Sequence, residues 1–116
     1  ELKIFFYNYI QKLYKTDILI ARGGAGTVND VIISQIPTIF VPLPSSSNNH
    51  QFYNANYLKQ KKAAIIIEQK DLQSEQSLSI IIELISNFKK QINLINNLKE
   101  VEILKSNKII FNNIND

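Results

Sequence analysis

A chain of 116 residues, 45% of them hydrophobic, suits one globular domain or part of a larger one. Its formal net charge of +3 comes from lysines spread along the sequence, paired only at Lys61-Lys62 and Lys89-Lys90. That pattern excludes the dense, arginine-bearing stripe of a nucleic-acid binder and leaves at most a weak attraction to an anionic membrane surface. The lack of cysteine excludes a disulfide framework and a thiolate metal site, and fits a reducing cytosol. No run approaches the roughly 20 apolar residues of a membrane-spanning helix, and no signal-peptide pattern is present.

In chain order, Leu2 to Phe5 reads as the end of a short strand. Tyr7 to Lys15 has Ile10, Leu13 and Tyr14 at the spacing of an amphipathic helix. Asp17 to Ala21 is a short continuous apolar run, the mark of a strand buried on both faces. A glycine turn follows, and then a helix-length segment, Ala25 to Gln35, with Val28, Val31 and Ile32 on one side. Pro37 opens a second apolar run, Thr38 to Val41, which Pro42 closes. Residues 42–50 form a polar loop, Gln51 to Lys62 a helix burying Ala55 and Leu58, and Ala64 to Ile67 a third buried strand. Strand and helix alternate at the spacing of βαβ units, which predicts an α/β fold with a doubly wound, Rossmann-like parallel sheet flanked by helices.

After Glu68 the pattern is helical only. Ser74 is placed as an N-cap, with Glu75 favourably set against the helix dipole. Leu78, Ile81, Ile82 and Ile85 are expected to form the apolar face of that helix. A second helix is expected from about Lys89 to Lys105, and a short terminal one from Ile109 to Ile114. These segments speak for packing, not for chemistry.

The chemistry concentrates elsewhere. Every glycine and proline, the only arginine and the only histidine fall between Arg22 and His50. Gly23, Gly24 and Gly26 stand at the carboxyl end of a strand and open a helix, where ligands of open parallel sheets bind. Backbone without Cβ atoms allows close approach, and the unpaired N–H groups of a first helical turn favour an anion such as phosphate. The alternative is a tight βα turn that binds nothing. Arg-Gly-Gly-Ala-Gly-Thr is neither a Walker A loop nor the dinucleotide fingerprint, which disfavours hydride transfer.

Thr27 adds a hydroxyl, and Asp30 follows three residues later on the same helix face. A carboxylate there suits two ribose hydroxyls; the plainer account is a solvated acid favoured by the helix dipole. His50, Gln51 and Asn54 begin the next helix, and His50 and Asn54 share one face. Three hydrogen-bonding side chains beside a phosphate turn suit sugar hydroxyls, whereas the plainer account has Asn49 and His50 capping the helix.

Taken in order, Arg22 to Asp30, Pro37 to Pro44 and Asn49 to Ala55 resemble the carboxyl-terminal domain of the MurG family, the UDP-N-acetylglucosamine transferases of glycosyltransferase family 28. The resemblance runs from about Phe5 to Asp71 and is strongest over residues 20–56. It implies a GT-B architecture, with this chain (1–116) forming the donor-binding domain. A first residue other than Met leads us to expect a fragment, incomplete at its amino end and without the amino-terminal acceptor domain.

By position, Gly24, Ala25, Gly26 and Thr27 would face the diphosphate of UDP-N-acetylglucosamine, and Asp30 would take the ribose. His50, Gln51 and Asn54 match the stretch that contacts the N-acetylglucosamine hydroxyls and diphosphate, and Phe5 and Phe6 fall where the family holds uracil. Asp30 replaces the usual Glu, Gly23 the usual Ser, and Tyr7-Asn8-Tyr9 a commonly acidic stretch. The implied activity is inverting transfer to the lipid-linked acceptor lipid I at the cytoplasmic membrane face, with the general base in the other domain. No Asp-x-Asp motif is present, so the expected cofactor is none and the turn replaces a metal. Another UDP-sugar transferase, or a non-catalytic nucleotide-sugar-binding module, is the alternative.

Overall fold

The computed structural model describes residues 4–6 as backbone, and residues 18–44 and 49–103. The helices expected at Tyr7 to Lys15 and Ile109 to Ile114 lie outside the described residues. Among the described residues four strands, β1 (Ile4–Phe6), β2 (Ile18–Ala21), β3 (Thr38–Phe40) and β4 (Ile65–Ile66), form one parallel sheet in the order β1-β2-β3-β4. The helices are α1 (Ala25–Ser34), α2 (His50–Gln60), α3 (Glu75–Ser86) and α4 (Phe88–Leu98), with a 3₁₀ turn at Gln69–Asp71.

Because each crossover steps the same way across the sheet, right-handed connections put α1 and α2 on one face. Val28, Val31 and Ile32 of α1 and Ala55 and Leu58 of α2 pack there on Leu19, Ala21 and Phe40. The opposite face carries Ile18, Ile39, Val41 and Ile67, covered by Leu84 of α3 and Leu94 of α4. Successive strand side chains alternate between these two layers. That is why the strand sequences are mostly apolar: both faces of β2 and β3 are covered, and β4 is half-buried on both. Helices on both faces meet the Rossmann-like expectation, and the described strands advance without a reversal of order.

Local chemistry sets the ends of the elements. α1 stops at Gln35, whose N–H makes the last helical bond, to the Val31 carbonyl at 2.7 Å, and whose left-handed φ of 58° turns the chain out of the helix. Pro37 then prevents the helix from resuming. Ser74 is the N-cap of α3, and its hydroxyl accepts from the Ser77 N–H at 3.1 Å. Asn87 serves two helices. Its backbone N–H closes α3 on the Glu83 carbonyl at 2.9 Å, and its side chain accepts from the Lys90 N–H at 3.2 Å to open α4.

The face of α3 differs from the expected one. Leu78 and Ile82 are 55% and 53% exposed, whereas Ser77 and Leu84 are buried. Ile81 and Ile85 pack partly into the core as expected, joined by Ile80. So much of this helix is apolar that several faces satisfy the periodicity, and contact with Ile39 and Ile67 selects among them. Tertiary packing decided the rotation.

Candidate functional site

Gly23 brings the two loops of the site together. Its φ of +98° is a conformation that side chains rarely adopt, and a Cβ placed on it would stand 2.8 Å from the Gln51 carbonyl oxygen. The same Cβ would lie 3.5 Å from that of Ala55. The glycine turn therefore rests directly on the first turn of α2. This contact sets the start of α1 against the start of α2.

Gly24 and Gly26 are different. A Cβ on either would meet nothing within 4 Å, so among the described residues no packing requires glycine there. Gly24 is the N-cap of α1 with an ordinary extended backbone (φ −61°, ψ 155°) and offers no capping side chain. The Val28 N–H bonds the Gly24 carbonyl at 2.9 Å, the first bond of the helix. The N–H groups of Ala25, Gly26 and Thr27 precede that bond in the first turn, where no intrahelical partner exists. Gly26 is exposed and Ala25 and Thr27 are half-buried. Among the described residues, then, nothing packs against the Cβ directions of Gly24 and Gly26 at the positive end of α1.

Asp30 is half-buried on the second turn of α1, and its side chain or backbone already takes part in an interaction. Phe6 ends β1 in register with Ile20, at the same carboxyl edge of the sheet as the turn.

On α2, His50 is exposed at the first helical position and Asn54 is half-buried one turn later. Asn49 precedes them in a left-handed conformation (φ 59°), and its side chain makes no capping hydrogen bond. Capping by Asn49 therefore does not explain this polar start. Gln51 has a partner within the chain: its Oε1 accepts from the Leu43 N–H at 2.7 Å. Pro42 and Pro44 have no N–H, so Leu43 is the one amide donor of that tripeptide. Gln51 thereby holds Leu43 beside the first turn of α2, and its carbonyl meets the glycine turn.

Sequence reasoning gave Arg22 no role, although it is the single arginine beside the turn. Its Nη1 donates to the Val41 carbonyl at 3.3 Å and to Gln69 Oε1 at 2.5 Å. A separate cleft of about 360 Å³ opens on the other flank of α2, lined by Pro42, Phe52, Tyr53 and Gln69 among others. None of Gly24, Thr27, Asp30, His50 or Asn54 lines it. Among the described residues no helix is long and apolar enough to cross a membrane.

A parallel sheet with helices on both faces, and a glycine turn at the carboxyl end of a strand opening a helix, defines a Rossmann-like domain. More narrowly, the chain belongs to glycosyltransferase family 28, whose C-terminal domain matches residues 1–110. It is 40% identical over 113 residues to a UDP-N-acetylglucosamine–N-acetylmuramyl-(pentapeptide) pyrophosphoryl-undecaprenol N-acetylglucosamine transferase of Rickettsia bellii (strain RML369-C), covering 94% of this chain and 32% of that protein. The corresponding transferase of Wolbachia pipientis subsp. Culex pipiens (strain wPip) is 31% identical over 103 residues, 89% of this chain and 30% of the relative. The crystal structure of Acinetobacter baumannii MurG superposes with a TM-score of 0.72 at 29% identity, over 82% of this chain and 27% of that one. This chain thus spans about a third of the length of the curated relatives it matches.

Proposed function

We propose that this chain is the donor-binding part of an inverting glycosyltransferase that moves N-acetylglucosamine from UDP-N-acetylglucosamine to the lipid-linked acceptor lipid I, giving lipid II. The observation that carries the reading is the start of α1, whose first N–H groups lack intrahelical partners, set beside the polar start of α2, with no described atom within 4 Å of a Cβ on Gly24 or Gly26. The helix start suits the diphosphate, Asp30 the ribose, and His50 and Asn54 the N-acetylglucosamine hydroxyls. Phe6 stands at the sheet edge proposed for uracil. Gln51 holds Leu43 through its Oε1, and its side-chain NH2 is the group offered to the sugar hydroxyls or the diphosphate.

In the reaction the 4-hydroxyl oxygen of the muramoyl sugar attacks the anomeric carbon of N-acetylglucosamine. The bond from that carbon to the diphosphate oxygen breaks, and UDP leaves with the electron pair. A base outside this chain takes the hydroxyl proton. Negative charge grows on the departing diphosphate, so N–H groups aimed at it stabilise the transition state more than the ground state. A unit charge at a helix terminus gains about 0.3–2 kcal/mol, before individual hydrogen bonds.

This division of labour assigns the acceptor, the base and the contact with the cytoplasmic membrane face to a further domain, and predicts that the 116 residues alone do not turn over. The test places this chain in a chimera, in the position of the matching segment of Acinetobacter baumannii MurG. Transfer to a lipid I analogue is then assayed with UDP-N-acetylglucosamine and with UDP-glucose. Transfer by the chimera alone, with preference for the N-acetylated donor, is the expected result. Preference for UDP-glucose would indicate a different sugar transferase, and donor binding without transfer a binding module.

A further inference from the structure

We propose that Arg22 is a positioning residue, which with Gln69 sets the Pro42–Pro44 loop against the glycine turn and so tunes donor affinity without touching the donor. The inference rests on the donor-site reading above and adds residues that it does not use.

The backbone ladder ends before the site begins. Its last bonds run from the Val41 N–H to the Ala21 carbonyl at 2.7 Å and from the Ile67 N–H to the Phe40 carbonyl at 2.9 Å. The Val41 carbonyl lies one group beyond them, and Pro42 has no N–H to extend the pairing. Arg22 takes over at this point. It leaves the end of β2, reaches the Val41 carbonyl past the end of β3, and goes on to Gln69 past the end of β4. One guanidinium therefore ties the carboxyl ends of three strands.

The consequence reaches the site through two links. Arg22 is bonded to Gly23, whose left-handed turn rests on the Gln51 carbonyl. Val41 is followed by Pro42 and Leu43, whose N–H is held by the Gln51 side chain. Arg22 and Gln51 thus grip the same loop at its start and at its middle. Charge-assisted bonds from a planar guanidinium have a fixed direction, which a lysine ammonium on a flexible stem does not reproduce. Geometry, more than charge, is what this arginine supplies.

The experiment measures UDP-N-acetylglucosamine binding to the 116-residue chain by calorimetry, for the unaltered chain, Arg22→Lys, Gln69→Leu and the double variant. Amide hydrogen exchange at Leu43 and melting temperature are recorded for each. Gln69 is exposed, so its replacement leaves the fold and the melting temperature essentially unchanged. We expect each single variant to weaken donor binding about fivefold to tenfold, the size of one lost charge-assisted hydrogen bond with some solvent exposure. The double variant should be no weaker than the weaker single, and Leu43 exchange should accelerate in all three.

Full affinity in Arg22→Lys would assign the effect to charge and overturn the proposal. Unchanged affinity in Gln69→Leu, or additive losses, would overturn it as well. If the unaltered chain binds no donor, the donor-site reading fails separately. Leu43 exchange then still decides whether Arg22 and Gln69 hold the loop, because it needs no ligand.

Discussion

Gly23 and Gln51 meet so closely that no side chain fits between them: a Cβ on Gly23 would lie 2.8 Å from the Gln51 carbonyl oxygen, at a φ of +98°. Two penalties therefore act together on Gly23→Ala. The left-handed backbone costs about 1–2 kcal/mol, and relieving the clash forces the turn away from α2. We expect a loss of about 2 kcal/mol or more. For a domain of this size, about 2 kcal/mol corresponds to a drop in melting temperature of roughly 8 °C. Calorimetric melting of the variant checks it, and a shift below a few degrees would show that the contact is not as tight as described.

Gly24 invites the opposite substitution. Its backbone is one that any residue adopts, its Cβ direction is open, and the helix it precedes has no side-chain cap. Gly24→Ser should supply that cap. The gain over glycine is a few tenths of a kcal/mol, because glycine is itself tolerated at this position. The same hydroxyl would occupy a first-turn N–H and fill the space assigned to the diphosphate. The variant should therefore melt slightly higher and bind UDP-N-acetylglucosamine more weakly. Tighter donor binding would contradict the role given to the turn.

Much of this arrangement is legible in the sequence because the relevant signals are local. The run Ile18 to Ala21 is apolar because it is buried from both sides, and Pro37 and Pro42 bound β3 by removing donors. Val28, Val31, Ile32, Ala55 and Leu58 lie where helical spacing puts them. What stayed hidden depends on contacts between segments far apart in the chain. Gly23 read as the loss of a serine hydroxyl, whereas its use is close approach to a carbonyl 28 residues on. Gln51 read as a sugar ligand, and the bond from its amide oxygen to the Leu43 N–H was not visible in the sequence. Arg22 spans 47 residues to Gln69, which no spacing rule can show. The rotation of α3 was ambiguous for the same reason.

That rotation is open to measurement. Leu84 is fully buried against the sheet and Ile82 is 53% exposed, two residues apart on one helix. Leu84→Ala should cost about 2–4 kcal/mol through lost burial and the cavity left behind. Ile82→Ala should cost less than about 1 kcal/mol, since much of its surface already meets water. Ser74→Ala removes the cap of the same helix and should cost about 1 kcal/mol. Urea denaturation of the three variants ranks them, and equal losses at positions 82 and 84 would return α3 to the orientation expected from the sequence.

The most informative test separates ribose from sugar. Asp30 lies on α1 and is proposed to hold ribose hydroxyls, a group that UDP and UDP-N-acetylglucosamine share. Asn54 lies on α2 and is proposed to hold the N-acetylglucosamine hydroxyls, which UDP lacks. Each lost hydrogen bond to a charged partner is worth about 1.5–3 kcal/mol, and each neutral one about 0.5–1.5 kcal/mol. Asp30→Ala should therefore weaken both ligands by a similar factor, about tenfold or more. Asn54→Ala should weaken UDP-N-acetylglucosamine by roughly threefold to tenfold and leave UDP unaffected. Calorimetric titration of both ligands against both variants gives four numbers and one decisive ratio. If Asp30→Ala changed the preference between the ligands while Asn54→Ala did not, the donor would lie across the two helices in the reverse direction.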